Sequence, residues 1–378
     1  VVPNNEAIVA VAQKVLGVET MSILVVGLLM NLLIARFTKF KYVFLTGHHS
    51  LFMACLMSAV LGTAGLSGIE LILVGGFLMG AWSAISPAIG QSYTSKVTDG
   101  DEIALGHFGS LGYYLSAWVA KYVGKAEEST EDIEIPEKWG FLRDSTLSTA
   151  LTMIVFYLIA AIAAGSEFVA TLSGSMSPYL FAVMSAMNFA VGVAIVYSGV
   201  RMILGDLIPA FQGIATKIIP NAIPAVDCAV FFTYAPTAVV LGFISSFIGG
   251  IIGMLILGAV GGVLIIPGLV PHFFCGATAG IYGNATGGRR GAAVGAFLNG
   301  LAITFLPALA LPVLGQLGFQ NTTFGDADFA VMGLVLGNAF EWIGMAGIYG
   351  VVVIAALVLI IPNFIKTKGK VINYVEEE

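Results

Sequence analysis

One uncharged stretch decides the fold of this chain. It begins at Cys228, ends at Gly288 and reads CAVFFTYAPTAVVLGFISSFIGGIIGMLILGAVGGVLIIPGLVPHFFCGATAGIYGNATGG. The stretch contains no Asp, Glu, Lys or Arg. A helix of about 20 apolar residues spans a bilayer, so this stretch alone is long enough for two crossings. A single carboxylate, Asp227, stands directly before it.

The whole chain has the same character. Of its 378 residues, 10% are charged and 58% are hydrophobic, whereas soluble domains carry about 25% charged residues. A soluble protein of this length has too little interior to bury so many apolar side chains. We therefore predict an all-α polytopic membrane protein with eight or nine crossings, of which Thr20–Ala35 is the first. Its 47 glycines favour close helix crossings and broken helices.

Charge and composition divide the chain into four parts. We predict a first repeat with elements of the substrate domain (1–120), a charged cytoplasmic connector (121–145), a second repeat with the last spans (146–365) and a cytoplasmic tail (366–378). The connector carries both charge signs, and we expect a solvated link. The start at Val1 does not read as an initiation site or a signal peptide, so we expect the first repeat to be N-terminally incomplete.

Basic residues give the orientation. Arg36, Lys39 and Lys41 follow the first span, and a lysine cluster at 366–370 follows the last. The positive-inside bias places both groups on the cytoplasmic face.

Two stretches of the chain share a pattern that indicates an internal repeat. In each, a polar residue introduces apolar segments that end at a proline. His48 precedes Pro87 by nearly the same length of chain as Asp227 precedes Pro267. We expect each proline to introduce a non-helical element, because a repeated broken-helix pattern is typical of a binding site near the bilayer midplane. Chance similarity between two Gly-rich membrane segments is the alternative.

The polar stretches that follow these prolines are Pro87–Gly109 and Pro267–Arg290. Both are too polar or too interrupted by Gly and Pro to face lipid as regular helices. We expect them to be re-entrant, and to be buried in protein or to line a water-filled cavity.

Three side chains are the candidates for ligand binding. His48, next to His49, stands at the mouth of an apolar span, where an imidazole needs a partner and can meet an anion. His107 lies between small residues in Gly106-His107-Phe108-Gly109, and Asp227 heads the uncharged stretch. Each has a structural alternative: an interfacial residue that ends a helix for His48, and a helix cap for His107 and for Asp227.

Several function classes lack the residues they need. The cysteines Cys55, Cys228 and Cys275 have no metal-ligand spacing and read as buried thiols, so we expect no catalytic nucleophile. The four histidines form no HExxH motif, no GxxxxGK[ST] occurs, and the net charge is −6 with no basic run. We therefore expect no metal, no cofactor, no catalytic residue and no nucleic-acid partner.

Separated motifs in a fixed order resemble one family. These are Leu45-Thr46-Gly47-His48, Val97-Thr98-Asp99-Gly100 with Gly106-His107, Ala225-Val226-Asp227-Cys228-Ala229, and Ile265-Ile266-Pro267-Gly268. The chain resembles, along nearly its whole length, the ascorbate-type membrane subunit (component IIC) of the bacterial phosphoenolpyruvate-dependent sugar phosphotransferase system (PTS).

The resemblance implies a homodimeric permease of the bacterial cytoplasmic (inner) membrane. It implies inverted repeats with broken or re-entrant helices, and an elevator-type movement of a substrate-carrying domain. A separate IIB protein, served by IIA, would phosphorylate the incoming sugar acid. By the same resemblance His48, His107 and Asp227 contact the substrate, while Thr46 and Gly47 shape the broken helix.

One departure from the family bears on the substrate. In ascorbate-binding members, glutamines follow each histidine motif, and here those places hold Phe52, Met53 and Phe108. The resemblance therefore adds Phe52 and Phe108 to the expected substrate-binding residues. Loss of the amide groups removes hydrogen bonds to sugar hydroxyls, so the expected substrate is ascorbate or a related sugar acid. The competing function is an ion-coupled secondary transporter of a small organic anion, in which Asp227 and His107 bind a proton or cation.

Overall fold

The architecture is helical. A computed structural model describes residues 1–100, 102–134, 145–202, 205–206, 208–315 and 322–365. Its α-helices are α1 Asn5–Phe37, α2 Gly47–Thr63, α3 Gly68–Thr98, α4 Ser110–Val123, α5 Ser145–Ala164, α6 Ser166–Ser173, α7 Pro178–Met202, α8 Ile208–Ile218, α9 Pro236–Ala259, α10 Leu269–Gly315, α11 Ala327–Ile343 and α12 Met345–Ile360. The strands are β1 Val2–Pro3, β2 Tyr42–Phe44, β3 Ala104–Leu105, β4 Ile223–Val226 and β5 Thr322–Thr323.

Seven helices of the described residues are long and apolar enough to cross a membrane. They are α1, α3, α5, α7, α9, α10 and α12, and the first span begins at Gly17. Helix α10 bends at Gly287 and Gly288, whose backbone angles are not helical, so it consists of two arms that each reach membrane-spanning length. The prediction of a polytopic helical membrane protein is confirmed. With the two arms of α10 counted separately, the described residues contain eight segments long enough to cross, against the eight or nine crossings expected.

The prediction for Pro87 is wrong. Helix α3 continues through this proline, which is buried, and ends only at Thr98. A membrane helix tolerates a proline where neighbouring protein and side chains satisfy the freed backbone carbonyl. Pro267 lies near the end of a non-helical segment but does not introduce one, because α10 begins at Leu269 and stays helical as far as its bend. The stretch 267–290 is therefore a largely buried helix and not an irregular element.

A short parallel sheet joins distant parts of the chain. Strand β4 lies between β2 and β3, and Tyr42, Val43 and Phe44 pair with Ile223, Pro224 and Ala225. The all-α expectation did not include these strands, and they have a physical reason. Backbone groups of a broken helix inside a membrane protein need partners, and strand pairing supplies them. A Cβ at Gly106 would lie 2.3 Å from the Ala225 carbonyl oxygen, so only glycine fits where the chain leaves β3.

The ends of the first and last spans meet. Asn363, just beyond α12, accepts a hydrogen bond from the Lys39 backbone N–H through Oδ1 at 2.8 Å. The Lys39 ammonium also donates to the Ile365 carbonyl oxygen. The segments that follow α1 and α12 therefore lie against each other at residues 39 and 363–365. The tail at 366–378 lies outside the described residues.

The connector is more than a solvated link. Thr130 is buried, and its N–H donates to Asn284 Oδ1 of α10 at 2.8 Å. A Cβ at Gly288 would lie 2.2 Å from the Lys125 carbonyl oxygen and 2.3 Å from that of Glu128, and the φ of Gly288 is +59°. The connector thus packs into the bend of α10 through its backbone and Thr130, while residues 125–127 and 131–132 are exposed, as in a solvated segment. Residues 135–144 lie outside the described part.

Candidate functional site

The sheet gathers the predicted site residues at one edge. Because β2, β3 and β4 are parallel, the chain leaves all three at the same end. Beyond β2 the chain enters α2 at Gly47, beyond β4 it enters a 3-10 helix at Cys228–Thr233, and beyond β3 it reaches α4 at Ser110. The side chains at these three exits are His48, Asp227 and His107. Positions that are far apart in the sequence therefore share one edge.

His48 and Asp227 face each other. His48 Nε2 lies 3.5 Å from Asp227 Oδ2, and the two side chains are 54% and 28% exposed. Asp227 also caps the 3-10 helix, since its Oδ1 accepts a 3.5 Å hydrogen bond from the Ala229 N–H. Asp227 is therefore a helix cap, as its structural alternative predicted, and its second oxygen is directed at His48. Protonation of His48 makes this contact an ion pair.

His107 and His49 are buried and lie against each other, with ring centroids 3.8 Å apart. The Gly109 N–H donates to His107 Nδ1 at 3.1 Å, and the Phe108 N–H donates to His49 Nδ1 at 3.3 Å. A backbone N–H only donates, so each Nδ1 is unprotonated and each ring carries its proton on Nε2. The Tyr113 hydroxyl, 2.9 Å from His107 Nδ1, then donates as well. Both imidazoles are neutral hydrogen-bond donors.

A cavity of about 430 Å³ opens at this edge. Of the predicted residues, His48, His107, Asp227 and Phe52 line it. Its other lining residues are Pro3, Asn4, Asn5, His49, Val196, Ala229, Val270, Pro271, Phe274 and Asp326. The volume is within the range of small-ligand sites, and the wall is apolar with a few convergent polar groups.

Three predicted residues do not line the cavity. Thr46 is the N-cap residue of α2 and is buried, and its Oγ1 has no hydrogen-bond partner among the described residues. Gly47 begins that helix. Phe108 is fully buried and stacks on Phe44 with ring centroids 4.6 Å apart. Phe108 supports the wall from behind, since its backbone N–H holds His49 in its tautomer.

Sequence reasoning missed Asn5, Asp326 and Asp328. Asn5 Nδ2 donates to Asp326 Oδ2 at 2.9 Å, and the Cys275 thiol donates to Asp326 Oδ1 at 2.9 Å. Asp326 is 6% exposed. A signal was present: Gly325-Asp326 follows a strand and precedes a helix, as Gly106-His107 does.

Asp328 anchors the α4 side of the site. It is fully buried, and its carboxylate accepts hydrogen bonds from Ser110 Oγ at 2.7 Å, the Leu111 N–H at 3.0 Å and Trp82 Nε1 at 3.1 Å. Its own N–H donates to the Phe108 carbonyl oxygen at 2.9 Å. These bonds tie α11 to α3 and to the start of α4, which fixes the loop that carries His107.

Two groups of described side chains come close enough to hold a metal ion. They are His49, His107 and Asp326, and His107, Asp227 and Cys228, with candidate ligand atoms within 4.8 Å of one another. A metal-bound imidazole donates its other ring N–H, but here Nδ1 of both His49 and His107 accepts. The groups are therefore arranged for hydrogen bonding.

Long apolar helices around a polar cavity with imidazoles and carboxylates define a multi-pass membrane transport protein. The chain belongs to the EIIC-GAT family, the PTS system sugar-specific permease component, which matches residues 1–328. This membership places it in the bacterial cytoplasmic (inner) membrane.

A relative of known specificity is the ascorbate-specific PTS system EIIC component of Mycoplasma pneumoniae. The chain is 25% identical to it over an alignment of 324 residues, and the match covers 75% of this chain and 48% of the relative. The chain therefore spans about half the length of this curated relative.

Proposed function

We propose that the protein translocates ascorbate or a related sugar acid, which a separate IIB protein phosphorylates with phosphate supplied through IIA. The observation that carries this proposal is the pairing of His48 with Asp227 at the mouth of the cavity. It joins an imidazole, which can meet an anionic group, to a carboxylate that accepts hydrogen bonds from hydroxyl groups.

The α2 N-terminus favours an anionic substrate. His48 stands in the first turn of this helix, where backbone N–H groups lack intrahelical partners and the helix dipole attracts negative charge. No acidic residue occupies this turn. We infer that the acidic end of the substrate meets His48 and the start of α2, while its hydroxyls meet Asp227.

The apolar side of the cavity supports a small, ring-shaped substrate. Phe52 and Phe274 line the wall, and Phe52 packs edge-to-face against His48 with ring centroids 5.8 Å apart. An aromatic surface accommodates the apolar face of a sugar-like ring without amide groups. We therefore propose that Phe52 contributes shape, and that Thr46, Gly47 and Phe108 hold the contacting residues in place.

Assembly and movement follow from the resemblance to IIC permeases. We propose a homodimer in which 1–120 and 146–365 carry inverted repeats, with the repeat positions of His48 and Asp227 meeting through β2 and β4. We also propose an elevator-type displacement of the cavity, with the 121–145 connector on the cytoplasmic face.

Vesicle uptake tests the mechanism. We expect radiolabelled ascorbate to accumulate as its phosphate only when phosphoenolpyruvate, the general PTS proteins and the cognate IIA and IIB are present. Omission of IIB is the matched control. Accumulation of unmodified substrate under an ion gradient, without PTS proteins, would contradict the proposal and support an ion-coupled secondary transporter.

A further inference from the structure

We propose that Asp326, His49 and His107 form a second subsite in the cavity, one that binds a substrate hydroxyl group, separate from the His48–Asp227 pair. This inference rests on the proposed function, because it concerns the same substrate in the same cavity. It assigns a binding role to a carboxylate that the sequence motifs do not include.

The chain places Asp326 and His107 in the same way. Gly106-His107 follows β3 and precedes α4, and Gly325-Asp326 follows β5 and precedes α11. Asp326 occupies the N-cap position of α11, yet its side chain forms no capping bond. It lines the cavity instead. A carboxylate that leaves its own helix end uncapped is directed elsewhere by the fold.

The carboxylate of Asp326 has spare acceptor capacity. Its Oδ1 accepts from the Cys275 thiol and its Oδ2 from Asn5 Nδ2, one bond to each oxygen. An ionised carboxylate offers about four acceptor positions. These two bonds orient the group and leave about half of its capacity for a ligand.

The two histidines supply the complementary donors. Since Nδ1 of His49 and of His107 accepts a backbone N–H, the remaining ring atom of each is an Nε2–H donor. None of the described residues that line the cavity is Lys or Arg, so no fixed cation there neutralises Asp326. Neutral N–H donors beside an anionic acceptor match a group that both donates and accepts.

The spacing fits a hydroxyl. One ring nitrogen of each histidine and one carboxylate oxygen of Asp326 all lie within 4.8 Å of one another. A hydroxyl that accepts from an N–H and donates to a carboxylate, with both contacts at about 2.8 Å and a tetrahedral angle between them, holds the two partners about 4.6 Å apart. A zinc ion would need ligands at about 2.0–2.2 Å and Nε2 atoms without protons. The subsite therefore takes one hydroxyl of a polyhydroxylated substrate.

Ascorbate binding to the full-length protein in lipid nanodiscs tests the subsite. We expect Asp326→Asn to weaken binding about 10- to 100-fold, because a hydrogen bond to a charged acceptor is lost. Glu341→Gln is the control on the same helix, since Glu341 is exposed and does not line the cavity, and it should bind as the wild type does.

A second control separates binding from structure. Cys275→Ala removes one of the two hydrogen bonds on Asp326 and alters no residue of the cavity wall. Because Asn5 Nδ2 still holds the carboxylate, we expect the affinity to stay within about threefold of wild type. If Cys275→Ala reproduces the loss seen in Asp326→Asn, the carboxylate is structural and the subsite is overturned. Unchanged binding by Asp326→Asn overturns it as well.

Deoxy analogues identify the hydroxyl. Removal of the hydroxyl that Asp326 binds should weaken binding to the wild type but cause no further loss in Asp326→Asn, as a double-mutant cycle requires. Full additivity for both 5-deoxy- and 6-deoxyascorbate would contradict the subsite while leaving the proposed function intact. If the wild type binds neither ascorbate nor other sugar acids, the proposed substrate fails, and the subsite fails with it.

Discussion

The cavity wall and the connector junction contain similar polar side chains, but the hydrogen bonds of these side chains differ. Both join polar side chains to interrupted helices. At the junction, where Ser129–Glu131 meets α9 and α10, Asn284 accepts from the Thr130 N–H and donates to Ser129 Oγ. At the cavity, Asp227 has one weak capping bond and faces a half-exposed His48. We call a polar group closed when other protein groups satisfy its hydrogen bonds, and open when they do not. Closed groups fix the architecture, whereas open groups are available to a ligand.

Asp328 lies just behind the cavity wall, but its hydrogen bonds are closed like those of the connector junction. Its carboxylate is occupied by three donors from α3 and α4, while Asp326, a near neighbour in the chain, faces the cavity. Burial alone does not separate the two carboxylates, since both are buried. The direction and number of their partners do.

The largest effect is expected for Asp328→Ala. The change leaves Ser110 Oγ, the Leu111 N–H and Trp82 Nε1 without their acceptor, and each buried unpaired donor costs about 1–3 kcal/mol. We expect a loss of stability of about 3 kcal/mol or more, seen as a large drop in melting temperature in detergent. Glu341→Ala, on the same helix, should melt as the wild type does. A normal melting temperature for Asp328→Ala would break the division between closed and open carboxylates.

Asp227→Asn should show the opposite pattern. It removes the charge that faces His48 and that the proposed function assigns to the substrate hydroxyls, and a hydrogen bond to a charged group contributes about 1.5–3 kcal/mol. We expect ascorbate affinity to fall by about 10-fold or more, while the melting temperature stays within about 2 °C because an amide oxygen still caps the 3-10 helix. His48→Gln is the companion variant. Unchanged affinity in both would remove this pair from the site.

The sequence allowed much of this site to be predicted, because its residues carry local signals. His48, His107 and Asp227 each stand where an uncharged or Gly-rich stretch begins, and in a chain with few charges such positions are conspicuous. Asp326 and Asp328 escaped because Gly325-Asp326-Ala327-Asp328 reads like an ordinary polar loop. Only the pairing of β5 with β1, which comes from the opposite end of the chain, brings Asp326 to the cavity.

The other differences between prediction and structure also arise because local sequence pattern does not include tertiary contacts. Pro87 was expected to break a helix because local rules ignore the neighbours that satisfy a freed carbonyl. The connector is largely exposed, as its charged composition predicts, but charge density does not show that Thr130 packs against α10. The local sequence pattern predicts which polar residues are unusual, and tertiary packing decides whether the protein satisfies their hydrogen bonds.

Gly288→Ala tests the junction at its tightest point. Its φ of +59° disfavours any residue with a side chain, and a Cβ there would meet two carbonyl oxygens of the connector. Backbone strain of this kind costs about 1–3 kcal/mol. Gly261→Ala is the matched control, since Gly261 has a φ of +70° but nothing within 4 Å of its Cβ position. We expect the larger drop in melting temperature for Gly288→Ala. Equal drops would show that the connector backbone moves to accommodate the added Cβ.

The smallest effect is expected for Glu131→Gln. Helix α9 begins at Pro236 without a side-chain cap from its own N-cap residue. Glu131 of the connector fills this role, accepting from the Thr237 N–H at 3.0 Å and the Ala238 N–H at 3.1 Å. An amide keeps one acceptor but loses the charge that complements the helix dipole, which is worth about 0.3–1 kcal/mol.

We expect Glu131→Gln to lower the melting temperature by about 1–3 °C and to leave ascorbate affinity unchanged. Glu127→Gln, an exposed position in the same connector, controls for the loss of one negative charge. If Glu127→Gln produces the same shift, the cap contributes nothing beyond net charge. If Glu131→Gln instead weakens ascorbate binding, the junction and the cavity are coupled, and the division between closed and open polar groups fails at the connector.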